Sequence, residues 1–276
     1  MTQQRGAHSP GDEAAVFYDA TYARFGEAIS REIRVETWGE DIGQNGWITA
    51  AEQDAFIDWL GLGPASRLLD IACGSGGPAL RIAERTGAHV TGVDINVGGI
   101  TAARATARER GLSDRVLFEI VDAGDPLAFP DESFDAVMCI DAINHLPDRP
   151  RVLSTWKRLL KPGGRMLYTD PVVVTGPVSR EELATRSSIG FFLFVPPDAN
   201  KRMLAEAGLR LVSREDLTEA VATTAGRWHA ARAARSEALV GIEGGELFEA
   251  QQRFLEVTGR LARERRLSRF AYLAER

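Results

Sequence analysis

Apolar residues recur along this chain in two different periods. Between residues 67 and 174, short runs rich in Val, Ile and Leu (RLLDIA, HVTGVDI, VLFEIVDA, FDAVMCI, GRMLYTDPVVV) alternate with stretches whose apolar positions return every three or four residues. The compact runs read as strands buried on both faces and the longer period as helices, so the alternation predicts an α/β fold with helices on both sides of a parallel sheet. Helices are expected up to Gly87, up to Gly111, and across Leu153, Trp156 and Leu160.

Ahead of this region, Tyr18, Tyr22, Phe25 and Ile29 follow one helical face and predict an amphipathic leader helix over 12–30. Thr49 with Glu52 forms a capping-box pattern before Phe56, Ile57 and Leu60, and Gly61, Gly63 and Pro64 stop that helix. Behind it, residues 175–200 break the rhythm with FFLF and Pro196–Pro197. An Ala/Arg-rich helical stretch over 219–266 then separates LRLVSREDLT from SRFAYLAE, both expected as edge strands. The organisation expected is a helical N-terminal cap (1–63) and a doubly wound, Rossmann-like domain (64–276), with segments 175–200 and 219–266 covering the carboxyl edge of the sheet.

Composition narrows the function. A formal charge of −6 disfavours nonspecific attraction to nucleic acid. The first residues lack a basic stretch followed by an apolar run, and no window approaches a membrane span, so a cytoplasmic protein with no membrane partner is expected. Cys73 and Cys139 are expected as free thiols, and the histidines at 8, 89, 145 and 229 show no spacing that would hold a metal.

The candidate chemistry begins at LLDIACGSGGPAL. Gly74, Gly76 and Ala79 fit G-x-G-x-x-G/A between a strand and a helix, and Asp94 closes the next strand, where an acid accepts bonds from ribose hydroxyls. Asp70 decides between cofactors. A carboxylate there repels a pyrophosphate, whereas the ammonium and sulfonium of S-adenosyl-L-methionine gain from it.

LLDIACGSGG, VTGVDI, VDAGDPLAFPDESFDAVMCIDAINHLPD and LLKPGGRMLYTD resemble, in order, the motifs of the class I S-adenosylmethionine-dependent methyltransferases. The resemblance implies a seven-stranded, mostly parallel sheet whose last strand, SRFAYLAE, runs antiparallel. It also assigns Asp70, Cys73, Gly74 and Gly76 to the methionine part, Asp94 to the ribose, and Asp122 with Ala123 to the adenine. Trp38, Ile95 and Ile140 complete the candidate cofactor set.

For the acceptor, expected to be a small molecule, His145 and Asp170 are the candidate catalytic residues, each following a strand at the carboxyl edge. Residues 134–170 are similar to methyltransferases acting on sugar hydroxyls in natural-product pathways, although Asn144 stands where that pattern has the first of two histidines. ETWGEDIGQNGWIT is similar to the entry segment of methyltransferases acting on glycine derivatives and other small amines, with Trp38, Gly39, Glu40 and Asp41 matching and Gly43 replacing a histidine. Tyr18, Tyr22, Trp228 and His229 join His145 as candidate acceptor contacts. The reading is methyl transfer to a nitrogen or oxygen of a secondary metabolite or small amine. A non-catalytic cofactor sensor or scaffold and an NAD-dependent oxidoreductase are the alternatives.

Overall fold

Seven strands form one sheet in the order β3-β2-β1-β4-β5-β7-β6 in the computed structural model, which describes residues 18–19 and 21–276. The strands are β1 (Arg67–Ile71), β2 (His89–Asp94), β3 (Val116–Ile120), β4 (Phe134–Cys139), β5 (Leu160–Val174), β6 (Arg210–Asp216) and β7 (Leu267–Glu275). β1 to β5 pair in parallel, and β7 runs antiparallel to both β5 and β6. The expected α/β class, seven strands and antiparallel last strand are all present.

β7 corrects one expectation: of the two C-terminal strands expected at an edge, only β6 is one, and β7 lies inside the sheet. Eight of the nine β7 residues are buried, whereas β6 alternates and ends exposed. The polar residues that suggest an edge are satisfied internally. Ser268 pairs with Thr175, and the Arg269 guanidinium donates to Asp141 and Glu52. Leu160, expected in a helix, opens β5 opposite Phe134.

Side chains on alternate strand positions enter opposite cores. Leu69, Val137, Trp156 and Tyr168 pack on one face, and Leu68, Met138, Phe56 and Leu80 on the other. Each large side chain so buried contributes about 1.5–3 kcal/mol. The flanking helices are α1 (Ala28–Trp38), α2 (Ala50–Leu60), α3 (Gly77–Thr86), α4 (Val97–Glu109), α5 (Arg149–Leu159), α6 (Arg180–Arg186), α7 (Ala199–Glu206), α8 (Thr218–Ala233), α9 (Ser236–Glu243) and α10 (Gly245–Arg263). The capping box at Thr49 and the left-handed stop at Gly61 start and end α2 as the pattern predicts.

The leader helix is not continuous to residue 30. Its turn at 21–23 closes at Arg24–Gly26, and extended Glu27 caps a new helix, α1. Arg34 holds this break by donating to the Phe25 carbonyl at 2.8 Å while its guanidinium stacks 3.9 Å from the Phe25 ring. Residues 12–17 and 20 of the predicted helix, and His8, lie outside the described residues. α1 packs through Ile33 against Ala231, Leu239 and Phe248 of the C-terminal helices. Among the described residues no helix is long and apolar enough to cross a membrane.

Candidate active site

The loop after β1 turns three times through left-handed backbone, at Ala72, Gly74 and Gly76, before α3 begins. The turns bring the loop against a strap at residues 39–47 that leads from α1 to α2. A Cβ on Gly77 would lie 2.1 Å from the Ile42 carbonyl oxygen, so glycine is what lets the two backbones touch. Ser75 donates to the Gly43 carbonyl at 3.0 Å, and the Trp47 amide donates to Asp141 at 2.9 Å, which ties the strap to the end of β4.

Between loop and strap lies a cavity lined by Asp70, Cys73, Gly74, Ile140, Asn45 and Tyr22, among others. Asp70 is buried, and among the described residues its Oδ2 has no hydrogen-bond partner. Burial, with the Asp94 charge adding to it, pushes the Asp70 carboxyl well above its ordinary range. An orphaned carboxylate facing a cavity fits a ligand that brings an ammonium group.

Asp94 stands at the end of β2, its oxygens receiving the Gly74 and Asn96 amides, each at 2.8 Å. The Val121 amide donates to the Asp94 carbonyl, which places the 121–123 segment beside it. Ile95 is 63% exposed, and exposed Asp122 folds back to accept the Gly124 amide at 2.7 Å. The elements expected to hold a nucleoside therefore follow one another along the ends of β1, β2 and β3. Tyr22 lies over this loop, its hydroxyl 2.3 Å from where a Gly74 Cβ would stand.

A second cavity opens beside the first and is lined by Tyr18, Asp141, His145, Arg186, Trp228 and Phe254, among others. Asn45 and Gly46 border both cavities. The covering segments supply much of this wall, Arg186 and Phe192 from one and Trp228 and Phe254 from the other. His145 Nδ1 sits 2.8 Å from the Phe191 carbonyl and Nε2 3.5 Å from the Tyr18 hydroxyl. A carbonyl only accepts, so Nδ1 carries the ring proton and Nε2 keeps its lone pair. Burial, with the positive charge of Arg186 adding to it, brings His145 down to about 4 and keeps it neutral. Burial also raises the Tyr18 phenol to about 12.

Several candidates stand elsewhere than expected. Asp170 does not face the crevice; it is fully buried and holds Arg149, Asn200 and the Val172 amide. Its neighbour Pro171 lines the second cavity instead, because consecutive strand residues point to opposite faces. Trp38 lines neither of these two cavities. It ends α1 against Trp228, with ring centroids 5.0 Å apart, and borders a third cavity between α1 and the C-terminal helices. Glu40 and Asp41 bind Arg81 and Arg34, which makes them supports of the strap. Trp228 lines the second cavity; His229, one residue on along α8, does not.

The sequence reading did not single out Asp141 or Arg186, both of which line the second cavity together with Asn144. Asp141 closes the loop after β4 with φ of 54°, and its oxygens receive Trp47, Thr169 and Arg269. Its position four residues before His145 at a strand end was an available signal. Asn144 is fully buried, and among the described residues its side-chain amide has no hydrogen-bond partner. Arg186 carried no signal, since it is one arginine in a helical run. Both cysteines are buried free thiols, and among the described residues no group of three His, Cys, Asp or Glu could hold a metal ion.

A family model described as a methyltransferase domain matches residues 62–193. The 27-O-demethylrifamycin SV methyltransferase of Amycolatopsis mediterranei is 35% identical over 196 residues, which are 67% of this chain and 72% of that protein. Phosphoethanolamine N-methyltransferase 1 of Zea mays is 34% identical over 59% of this chain, but the match spans only 32% of that longer protein. The cyclopropane synthase MmaA2 of Mycobacterium tuberculosis shares the fold with a TM-score of 0.81 at 18% identity, over 95% of this chain and 98% of that one.

Proposed function

The chain belongs to the class I S-adenosylmethionine-dependent methyltransferases of small molecules, and from that premise we propose that His145 receives the proton as an acceptor oxygen or nitrogen is methylated. S-adenosyl-L-methionine, when bound, supplies an electrophilic methyl group. In this reading Asp70 holds its ammonium, Asp94 its ribose hydroxyls, and Ile95, Asp122 and Ala123 its base. Cys73, Gly74, Gly76 and Ile140 shape the wall between.

The observation that carries the proposal is the hydrogen bond from His145 Nδ1 to the Phe191 carbonyl, which leaves Nε2 as a lone pair on the cavity wall. A neutral imidazole is a weak base here, but a methylated oxygen that still holds its proton is a strong acid. Transfer to Nε2 late in the attack is therefore downhill. Tyr18, 3.5 Å away, orients the same proton path. The rifamycin relative, an O-methyltransferase by its name, favours oxygen; the phosphoethanolamine relative keeps nitrogen in play. The described part of the N-terminal cap, from residue 21 to 63, and the segments 175–200 and 219–266 exclude water from the displacement. The two free thiols suit the cytoplasm.

The test is transfer of an isotopically labelled methyl group from S-adenosylmethionine into small-molecule extracts split by hydroxyl and amine content. A labelled product in wild type that falls sharply in His145→Ala supports the reading; full turnover in His145→Ala overturns it.

A further inference from the structure

Arg186 is 2% exposed, yet among the described residues its guanidinium makes no hydrogen bond and no ion pair. Buried arginines are ordinarily paired, because an uncompensated charge out of water costs several kcal/mol. What holds this one is aromatic. Its Cζ lies 4.9 Å from the centroids of Phe192 and Phe254 and 5.7 Å from that of Trp47. Stacking satisfies the faces of a guanidinium and leaves its N–H edge unspent.

The charges that face Arg186 do not neutralise it. Asp141 is bound by Arg269, and Asp170 by Arg149, so each acid already has its own arginine. Tyr18 stays a neutral phenol and His145 a neutral imidazole. Burial brings Arg186 down only to about 10, so it remains a cation at neutral pH. Among the described residues the acceptor cavity thus combines aromatic walls and a few polar groups, Asp141 among them already paired with Arg269, with a fixed, unpaired positive charge at Arg186.

We propose that Arg186 is a recognition residue for an anionic group on the acceptor, a carboxylate or phosphate, which its N–H edge receives as a two-pronged partner within the cavity of His145. This deepens the methyltransferase reading and rests on it. A planar fork matched to two oxygens supplies orientation as well as affinity, so the anion sets which acceptor atom meets the methyl group. The same charge disfavours a simple ammonium acceptor that carries no anion.

Trp47 and Trp228 line the cavity and report binding through their fluorescence. Benzoate, phenyl phosphate and neutral benzamide are titrated into wild type, Arg186→Lys and Arg186→Met, with S-adenosylmethionine binding measured on the same samples. The expected result is that one of the anions binds wild type at least tenfold more tightly than benzamide, and whichever it is identifies the oxyanion class. The preference should shrink in Arg186→Lys, which keeps charge without the fork, and vanish in Arg186→Met. Equal binding of the three probes, or binding of none, in wild type overturns the proposal without requiring any variant to fold. A preference that persists in a folded Arg186→Met overturns it too. S-adenosylmethionine binding without anion preference would remove only this inference, whereas anion preference without S-adenosylmethionine binding would remove the methyltransferase reading.

Discussion

Arg149 Nη1 lies 2.6 Å from Asp170 Oδ2, and both side chains are fully buried. Asn200 completes the cluster, donating to the same oxygen at 2.8 Å and accepting from the same guanidinium nitrogen at 2.8 Å. The pair locks the start of α5 to β5 next to Pro171, which lines the second cavity, so Asp170 acts as a structural support there.

Removing one partner leaves the other charge buried and uncompensated. Asp170→Ala should therefore lose about 3–5 kcal/mol in urea unfolding. The folded fraction of Asp170→Asn should retain S-adenosylmethionine affinity; a loss of turnover without a loss of stability would return Asp170 to the chemistry.

His145→Ala should lower turnover about 10²- to 10⁴-fold while the dissociation constant for S-adenosylmethionine stays within a factor of two or so. Separate measurement of kcat and of cofactor binding by calorimetry distinguishes a lost proton acceptor from a damaged fold.

The same histidine gives stability a pH dependence. Its pKa is depressed from 6.5 to about 4 in the folded protein, so the unfolded chain binds more protons between those values. Stability from this residue is present above pH 6.5 and is lost as pH falls toward 4. The drop corresponds to about 3 kcal/mol. Denaturant melts at pH 7.5 and pH 4.5 should differ less in His145→Ala than in wild type.

Asp70 has the opposite sign. Burial raises its carboxyl above 3.8, so its contribution is full below that pH and is lost as pH rises through the folded value. Asp70→Asn should melt higher than wild type at pH 7 in the absence of cofactor. Its S-adenosylmethionine affinity should fall about ten- to hundredfold, the scale of one hydrogen bond to a charged group. Thermal scans with and without cofactor read both effects.

Gly77→Ala should cost about 1–3 kcal/mol, because the new methyl group meets the Ile42 and Gly43 backbone at 2.1 and 2.6 Å and must displace the strap. Cofactor affinity should fall with it. Unchanged affinity would mean that the strap does not wall the cofactor cavity.

Local pattern determined much of this protein. The periods of two and 3.6, the capping box at Thr49 and the glycines after β1 place strands, helix ends and loop, since each depends on neighbours a few residues apart. The placement of Asp70 and Asp94 beside the glycine loop was legible for the same reason, since both follow from strand ends and spacing. The acceptor side was not. Whether SRFAYLAE is an edge or the buried partner of β5 depends on where 219–266 folds. Whether Asp141 or Asp170 faces the crevice depends on which side of its strand or loop each leaves. Trp38 was drawn to Trp228, 190 positions further along the chain, and Arg186 became an unpaired cation only because Trp47, Phe192 and Phe254 surround it. Burial and charge pairing are sums over residues far apart in the chain, and only the folded structure performs that sum.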